Sequence, residues 1–415
     1  MMYNLYSIKR FLTLIYLRIC YKIALHRVRT SIKNHNPITV YFLVSEIAKW
    51  KAQPLYDLME CDNMFRPNIC IYPYDRELVL PKSSINQLLR EKEDFFRNKR
   101  MRVINIWDSQ KSCVDLSHFN LEGVVFYQQP WDIPPAPEPT QIANRWLTFY
   151  VPYYLVNNYD KRLELCMPLQ RQVYRYIVPS EGIKDFYLKE VCKYKFAGEL
   201  VGLGHPSADN ILSLERTNSD FTVIYAPHFS FPYKSITRPL YYSTFLENGE
   251  YILDYAKHHK NIKWVFKPHP RLKSELELTG AWPLAKIESY YGEWERIGEA
   301  CYDSDYQSMF VNSDVLLTDC GSFLTEYACT RNPVIRLVLP DHDLLPNPVL
   351  KELYSTYYNV TGNEELEATL DIVVNRKMDP QKEKRHNAIN RIEFCNGPSS
   401  ERILNYLSVL IFKNM

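Results

Sequence analysis

The chain has 415 residues, enough for two domains of ordinary size and long for one. With 46% hydrophobic and 24% charged residues and no low-complexity tract, the composition excludes an extensively disordered protein. A formal net charge of +2 excludes nucleic-acid binding by bulk electrostatics.

The first 37 residues stand apart. They carry seven Lys or Arg residues (Lys9, Arg10, Arg18, Lys22, Arg27, Arg29, Lys33) and no acid, interleaved with Phe11, Leu12, Leu14, Ile15, Leu17, Ile19 and Ile23. The longest uncharged run falls short of the about 20 residues that a spanning helix needs. Two readings stay open: a helix lying on an anionic membrane surface, or a helix docked on the domain that follows. The charges do not gather on one clean face.

Ile38 to Glu46 (ITVYFLVSE) is a short apolar, β-branched run that predicts a buried strand. A helix is expected around Tyr56 to Met59, a strand at Asn68 to Tyr72, a helix at Ser83 to Asn98 and strands at Arg102 to Ile106 and Gly123 to Tyr127. Pro130 to Pro139 holds five prolines, which predicts an ordered loop at a strand end. A second alternating series starts near Phe196. It has strands at Phe221 to Ala226, Ile262 to Lys267, Val315 to Thr318 and Pro333 to Leu339, with helices at Gly249 to His258, Asp305 to Asn312, Ser322 to Thr330 and Ser399 to Phe412. Alternating strands and helices predict parallel sheets, here two Rossmann-like α/β domains facing a cleft. The expected bounds are 1–37 for the basic segment, 38–190 and 191–397 for the domains, and 398–415 for a helix crossing back.

Several strand ends carry polar chemistry. In Ser313 to Ile335 a buried strand ends at Thr318-Asp319, turns at Cys320-Gly321 and enters a helix near Ser322. Such a helix start offers unpaired amides and a positive dipole end to a diphosphate, with Glu326 one turn on to accept from ribose hydroxyls. An ordinary turn with Ser322 as N-cap is the alternative. Lys267-Pro268-His269-Pro270 ends another strand, where Lys and a protonated His can meet phosphate oxygens; a His packed in a proline-fixed turn is the plainer reading. Tyr225-Ala226-Pro227-His228 ends a third. Gly202-Leu203-Gly204-His205-Pro206 is either a phosphate loop or a hinge. Asp303-Ser304-Asp305 reads as a helix cap rather than a metal ligand set. The ten cysteines have no Cys-x-x-Cys spacing and read as reduced thiols in a cytoplasmic setting, and no secretory cleavage site is visible. No metal and no cofactor are expected.

In order along residues 195 to 330, Gly204…Asp209, Tyr225-Ala226-Pro227, Lys267-Pro268-His269-Pro270 and Ser313-Asp314-Val315-Leu316-Leu317-Thr318-Asp319 with Ser322 resemble the CDP-glycerol glycerophosphotransferases. These are teichoic acid polymerase-like proteins with relatives in capsule gene clusters. The resemblance implies a metal-independent GT-B fold, with His269 and the Ser322 helix start holding the diphosphate of a CDP-activated donor. It also implies a polysaccharide or lipid-linked acceptor at the inner membrane surface, and no nucleic acid. One departure matters. The family's catalytic His-Gly-Thr-Pro motif at a first-domain strand end is replaced here by Gln128-Gln129-Pro130-Trp131-Asp132. Gln128 and Gln129 can hydrogen-bond the acceptor but cannot take a proton, which leaves Asp132 as the expected base. A nucleotide-sugar glycosyltransferase and a catalytically inactive capsule-assembly protein are the competing readings.

Overall fold

The structure, a computed structural model, describes residues 2–33, 37–119, 122–131, 135–156, 160–233, 241–302, 306–339 and 346–412. It divides into two compact units, one built on Met1–Leu155, Asp160–Asp209 and Gly397–Met415, the other on Asn210–Asn396.

The first unit holds strands β1 (Ile38–Val44), β2 (Phe65–Ile71), β3 (Val103–Asn105), a small hairpin of β4 (Trp107–Asp108) and β5 (Cys113–Val114), then β6 (Gly123–Tyr127), β7 (Trp146–Tyr150), β8 (Arg175–Val178) and β9 (Glu199–Gly202). All but the hairpin form one parallel sheet in the order β3-β2-β1-β6-β7-β8-β9. Every residue of β1, β6 and β7 is buried, which is why these strands read as unbroken apolar runs instead of alternating ones. Gly123 is needed where β6 meets β1, because a Cβ there would lie 1.9 Å from the Thr39 carbonyl oxygen.

The first helix, Met2–Lys33, docks on this unit through Leu14, Leu17, Tyr21, Ala24, Val28 and Ile32. Arg18 donates to the Phe196 carbonyl at 2.8 Å, and Arg29 donates to the Ile411 and Leu410 carbonyls at 2.9 and 3.0 Å. The helix Ser399–Phe412, its bounds as expected from the sequence, packs Ile403, Leu407 and Ile411 into the same core. Asp209 receives the Ser399 amide at 2.7 Å and also the Ser400 amide, so it neutralises the start of that helix. The boundary to the second unit therefore falls after Asp209 and not near residue 190. β9 adds to β8 in the first sheet, and its short, partly exposed ELVG sequence gave little strand signal.

The second unit holds β10 (Thr222–Ala226), β11 (Lys263–Phe266), β12 (Glu299–Ala300), β13 (Val315–Thr318), β14 (Val334–Leu337) and β15 (Tyr358–Val360), all parallel in the order β12-β11-β10-β13-β14-β15. Its core is rich in aromatics: Phe266 stacks on Trp294 at 5.0 Å, and Tyr225 and Trp264 pack around them. None of the ten cysteines is in a disulfide.

Candidate functional site

In each sheet the strand order turns back on itself between two central strands. In the second sheet the chain runs β10-β11-β12 to one side and β13-β14-β15 to the other. The carboxyl edge between β10 and β13 is thus a topological switch point, where open parallel sheets form their ligand crevices. The corresponding point of the first sheet lies between β1 and β6.

At the second switch point the sequence-predicted residues come together. Thr318 donates its hydroxyl to the Ala226 carbonyl and accepts the Cys320 amide at 2.8 Å, which ties the end of β13 to the end of β10. Asp319 is a hub. Its Oδ1 accepts the His228 amide at 2.6 Å, and its Oδ2 accepts the Ser243 hydroxyl at 2.7 Å, the Thr244 amide at 2.8 Å and the Thr244 hydroxyl at 3.3 Å. Burial pushes its pKa up to about 6, against the pull of those donors. With both oxygens engaged inside the protein, Asp319 positions the loops after β10 instead of presenting a carboxylate to a ligand.

The end of β11 closes on the same spot. The His269 amide donates to the Pro227 carbonyl at 2.9 Å, and the His228 and His269 rings lie 4.7 Å apart. His269 Nδ1 accepts the Arg271 amide at 3.1 Å, so the neutral ring carries its proton on Nε2. Nε2 has no partner among the described residues. Burial, with Arg271 and Lys267 nearby, pulls the His269 pKa down to about 4. The imidazolium expected from the sequence is therefore not the resting form: at neutral pH the ring offers a neutral N–H. His228 is likewise held neutral, chiefly by burial, then by His269 and Arg271. Its Nδ1 accepts the Ser230 amide at 3.2 Å, and Nε2 meets the Tyr242 hydroxyl at 3.2 Å. Lys267 is buried at the strand end.

The helix Gly321–Tyr327 starts directly after this edge, with Cys320 at its N-cap and no side chain capping it. Ser322 is one residue inside the helix and touches the Cys320 sulfur at 3.3 Å, so it is not the cap. Gly321 is buried at the turn, and Glu326 is buried and accepts the Tyr306 hydroxyl at 2.6 Å.

Gln128 and Gln129 lie in the first unit, at its own switch point. Together with Ser45, Glu46, Lys49, Tyr72 and Tyr127 they line a small recess. Lys49 pairs with Glu46 and donates to Gln129 Oε1 at 2.6 Å; Gln129 Nε2 donates to the Trp131 carbonyl at 3.0 Å. Gln128 Nε2 reaches the Leu43 carbonyl at 3.4 Å, and its buried Oε1 is unpartnered. Glu46 and Lys49 were not singled out in the sequence. The one signal was position, since Ser45-Glu46 directly follows a buried strand. Asp132 and Asp303-Ser304-Asp305 lie outside the described residues. Trp131 stacks on Tyr154; Tyr150 is fully buried, and Tyr154 donates to the buried Glu164 at 3.1 Å.

Gly204 belongs to the first unit. It has φ +93°, and a Cβ there would meet the Ser399 hydroxyl oxygen at 2.2 Å. Packing against the helix Ser399–Phe412 accounts for this glycine. His205 beside it is buried, with Nε2 on the Pro152 carbonyl and Nδ1 accepting the Ser207 amide at 3.1 Å.

Two Rossmann-like units, each with a parallel sheet and a polar switch point, give the chain a GT-B fold. The chain resembles the teichoic acid polymerase-like family in sequence and in fold. It is 26% identical over 199 residues to the minor teichoic acid biosynthesis protein GgaB of Bacillus subtilis (strain 168), a match covering 43% of this chain and 19% of that protein. The match thus spans about a fifth of the length of that relative. The solved wall teichoic acid polymerase TagF superposes with a TM-score of 0.55 at 12% identity, over 100% of this chain and 98% of that one. A UDP-N-acetylglucosamine 2-epimerase structure from Listeria monocytogenes gives a TM-score of 0.54 at 14% identity, over 92% and 98%. No protein-family model matches the chain.

Proposed function

We propose that this chain transfers glycerol phosphate from CDP-glycerol to a membrane-linked capsular or teichoic-type polysaccharide, working in the cytoplasm at the inner face of the membrane. The observation that carries this reading is the convergence of His269, His228, Lys267 and the start of the helix Gly321–Tyr327 on one switch point. The likeness to a teichoic acid biosynthesis protein supports this substrate class. The acceptor hydroxyl oxygen attacks the glycerol-bearing β-phosphorus. The bond from that phosphorus to the bridging oxygen breaks, and CMP leaves. His269 Nε2–H donates to the departing phosphate, and its ring takes up a proton more readily as negative charge grows beside it. Lys267 and the amides of Gly321 and Ser322 add fixed positive potential.

On the acceptor side, the unpartnered Gln128 Oε1 accepts from the attacking hydroxyl or its neighbour, with Gln129 beside it. The proton goes to a carboxylate at this edge. Asp132 follows the Gln128-Gln129 pair in sequence, and Glu46 faces the same recess. The absence of a histidine at this strand end also suits a GT-B glycosyltransferase that uses a CMP-, CDP- or UDP-sugar, since the donor-side residues serve either leaving nucleotide. Turnover separates the two. CMP release from CDP-glycerol that is lost in His269→Ala supports the reading. Turnover of a nucleotide sugar alone selects the second reading. CDP-glycerol turnover undiminished in His269→Ala removes the donor assignment.

A further inference from the structure

Two thiols of the second unit lie against each other. Cys329 Sγ and Cys395 Sγ are 3.5 Å apart, although 66 residues separate them along the chain. Cys329 sits in the short turn Ala328–Thr330 that follows the helix Gly321–Tyr327, and Cys395 in the turn Glu393–Asn396. Both are buried, Cys329 at 6% and Cys395 at 2% exposure. By contrast Cys61, Cys113 and Cys192 are exposed, and Cys320 Sγ meets the Ser322 hydroxyl.

Hydrogen bonds already hold the two turns together around the sulfurs. Arg331 Nη1 donates to Asn390 Oδ1 at 2.8 Å and Nη2 to Asn396 Oδ1 at 2.9 Å. Asn396 Nδ2 in turn donates to the Ile389, Ile392 and Asn390 carbonyls at 2.9, 2.9 and 3.0 Å. The buried Arg385 donates from Nε to the Arg331 carbonyl at 3.0 Å. Bonded sulfurs lie about 2.05 Å apart, so this pair has to close by about 1.5 Å. Shared between two side chains, that is under about 1 Å for each sulfur, within reach of modest χ1 rotation on a fixed backbone.

We infer that Cys329 and Cys395 are a modification site: a peroxide converts the pair into a disulfide, and a dithiol reductant restores the two thiols. Cys329, the less buried of the two, meets the oxidant first. Its sulfur attacks one oxygen of hydrogen peroxide, the O–O bond breaks, and water departs to leave a sulfenic acid. The Cys395 sulfur then attacks that sulfur. The S–S bond forms, the S–O bond breaks and a second water departs. Together the thiols give up two electrons and two protons, and the peroxide becomes two waters. The partner sulfur, already in contact, intercepts the sulfenic acid before a second peroxide carries it to sulfinic acid. The bridge closes a loop that contains β14 and β15, and closing so long a loop restricts the unfolded chain. It also ties down the far end of the helix whose start lies at the second switch point.

The bridge needs neither donor nor acceptor, so the full-length protein alone tests it. Reduced protein is treated with hydrogen peroxide, its remaining thiols are alkylated, and a digest made without reductant is read by mass spectrometry. The expected result is a linked peptide pair joining Cys329 to Cys395 that dithiothreitol abolishes. The melting temperature of the oxidised protein should lie at least about 5 °C above that of the reduced protein and fall back with dithiothreitol. Cys329→Ser and Cys395→Ser, each compared with its own untreated form, should show neither the linked pair nor the rise. The inference is overturned if no linked pair forms, if Cys329 of the wild type runs on to sulfinic acid, or if either cysteine links to a different one. It is also overturned if the wild-type melting temperature does not rise on oxidation, or rises as much in the two variants.

Discussion

The two switch points of this molecule are built on opposite plans. In the second sheet nearly every polar group at the edge is held by another. Asp319 collects four donors, Thr318 joins two strands, and both histidine rings are fixed at Nδ1 by a following amide. In the first sheet the edge is loosely provided for. Gln128 Oε1 has no partner, and Glu46 and Lys49 face a small recess. A diphosphate is small, rigid and highly charged, and a pre-set edge suits it because preorganised donors need no rearrangement when charge arrives. An acceptor hydroxyl is uncharged before it attacks, and an unfilled hydrogen-bond acceptor such as Gln128 Oε1 is a group to which it can donate.

The largest test of this contrast is Asp319→Ala. It strips the acceptor from several buried donors, and hydrogen bonds to a charged group are worth roughly 1.5–3 kcal/mol each. Urea denaturation should show a loss of about 4 kcal/mol, most of the margin of a typical domain. Unchanged stability would show that the hub does not hold the edge together. Next is the acceptor side. Glu46→Gln should lower kcat about 100-fold if Glu46 takes the proton, with CDP affinity unchanged. If Asp132→Asn shows that loss and Glu46→Gln does not, the base is Asp132.

Gly204→Ala comes third. With positive φ and Ser399 in the way, it should cost about 2 kcal/mol of stability and leave donor affinity alone. A selective loss of donor affinity would return Gly204 to the donor site. The smallest effect is a titration. The His269 ring should titrate near 4 by NMR in ligand-free protein, well below an ordinary imidazole. The folded-state pKa lies below the unfolded one, so the unfolded chain takes the proton first. The His269 contribution to stability is therefore present above about 6.5 and is lost as pH falls towards 4. A midpoint near 6.5 would mean that the ring is not desolvated.

Much of this was legible in the chain itself. GVVFY and VLLT are strands with the expected bounds, because continuous burial on two faces leaves a plain apolar run. The residues that meet at the second switch point were legible because Pro227, Pro268 and the Thr318-Asp319 turn mark three strand ends. Less was visible where the signal is three-dimensional. β12 has two residues and β15 three, too short for periodicity. Asp319 looked like a ligand contact because sequence cannot show that His228, Ser243 and Thr244 fill its oxygens. Glu46 and Lys49 meet Gln129 only through the pairing of β1 with β6, about 80 residues apart.

The most direct measurement is calorimetric titration of CDP into the wild-type protein and into His269→Ala. The account predicts a saturable one-to-one site in the wild type and at least tenfold weaker binding in the variant, with both proteins equally stable to urea. Equal affinity in the two proteins would contradict a nucleoside diphosphate site between β10, β11 and β13.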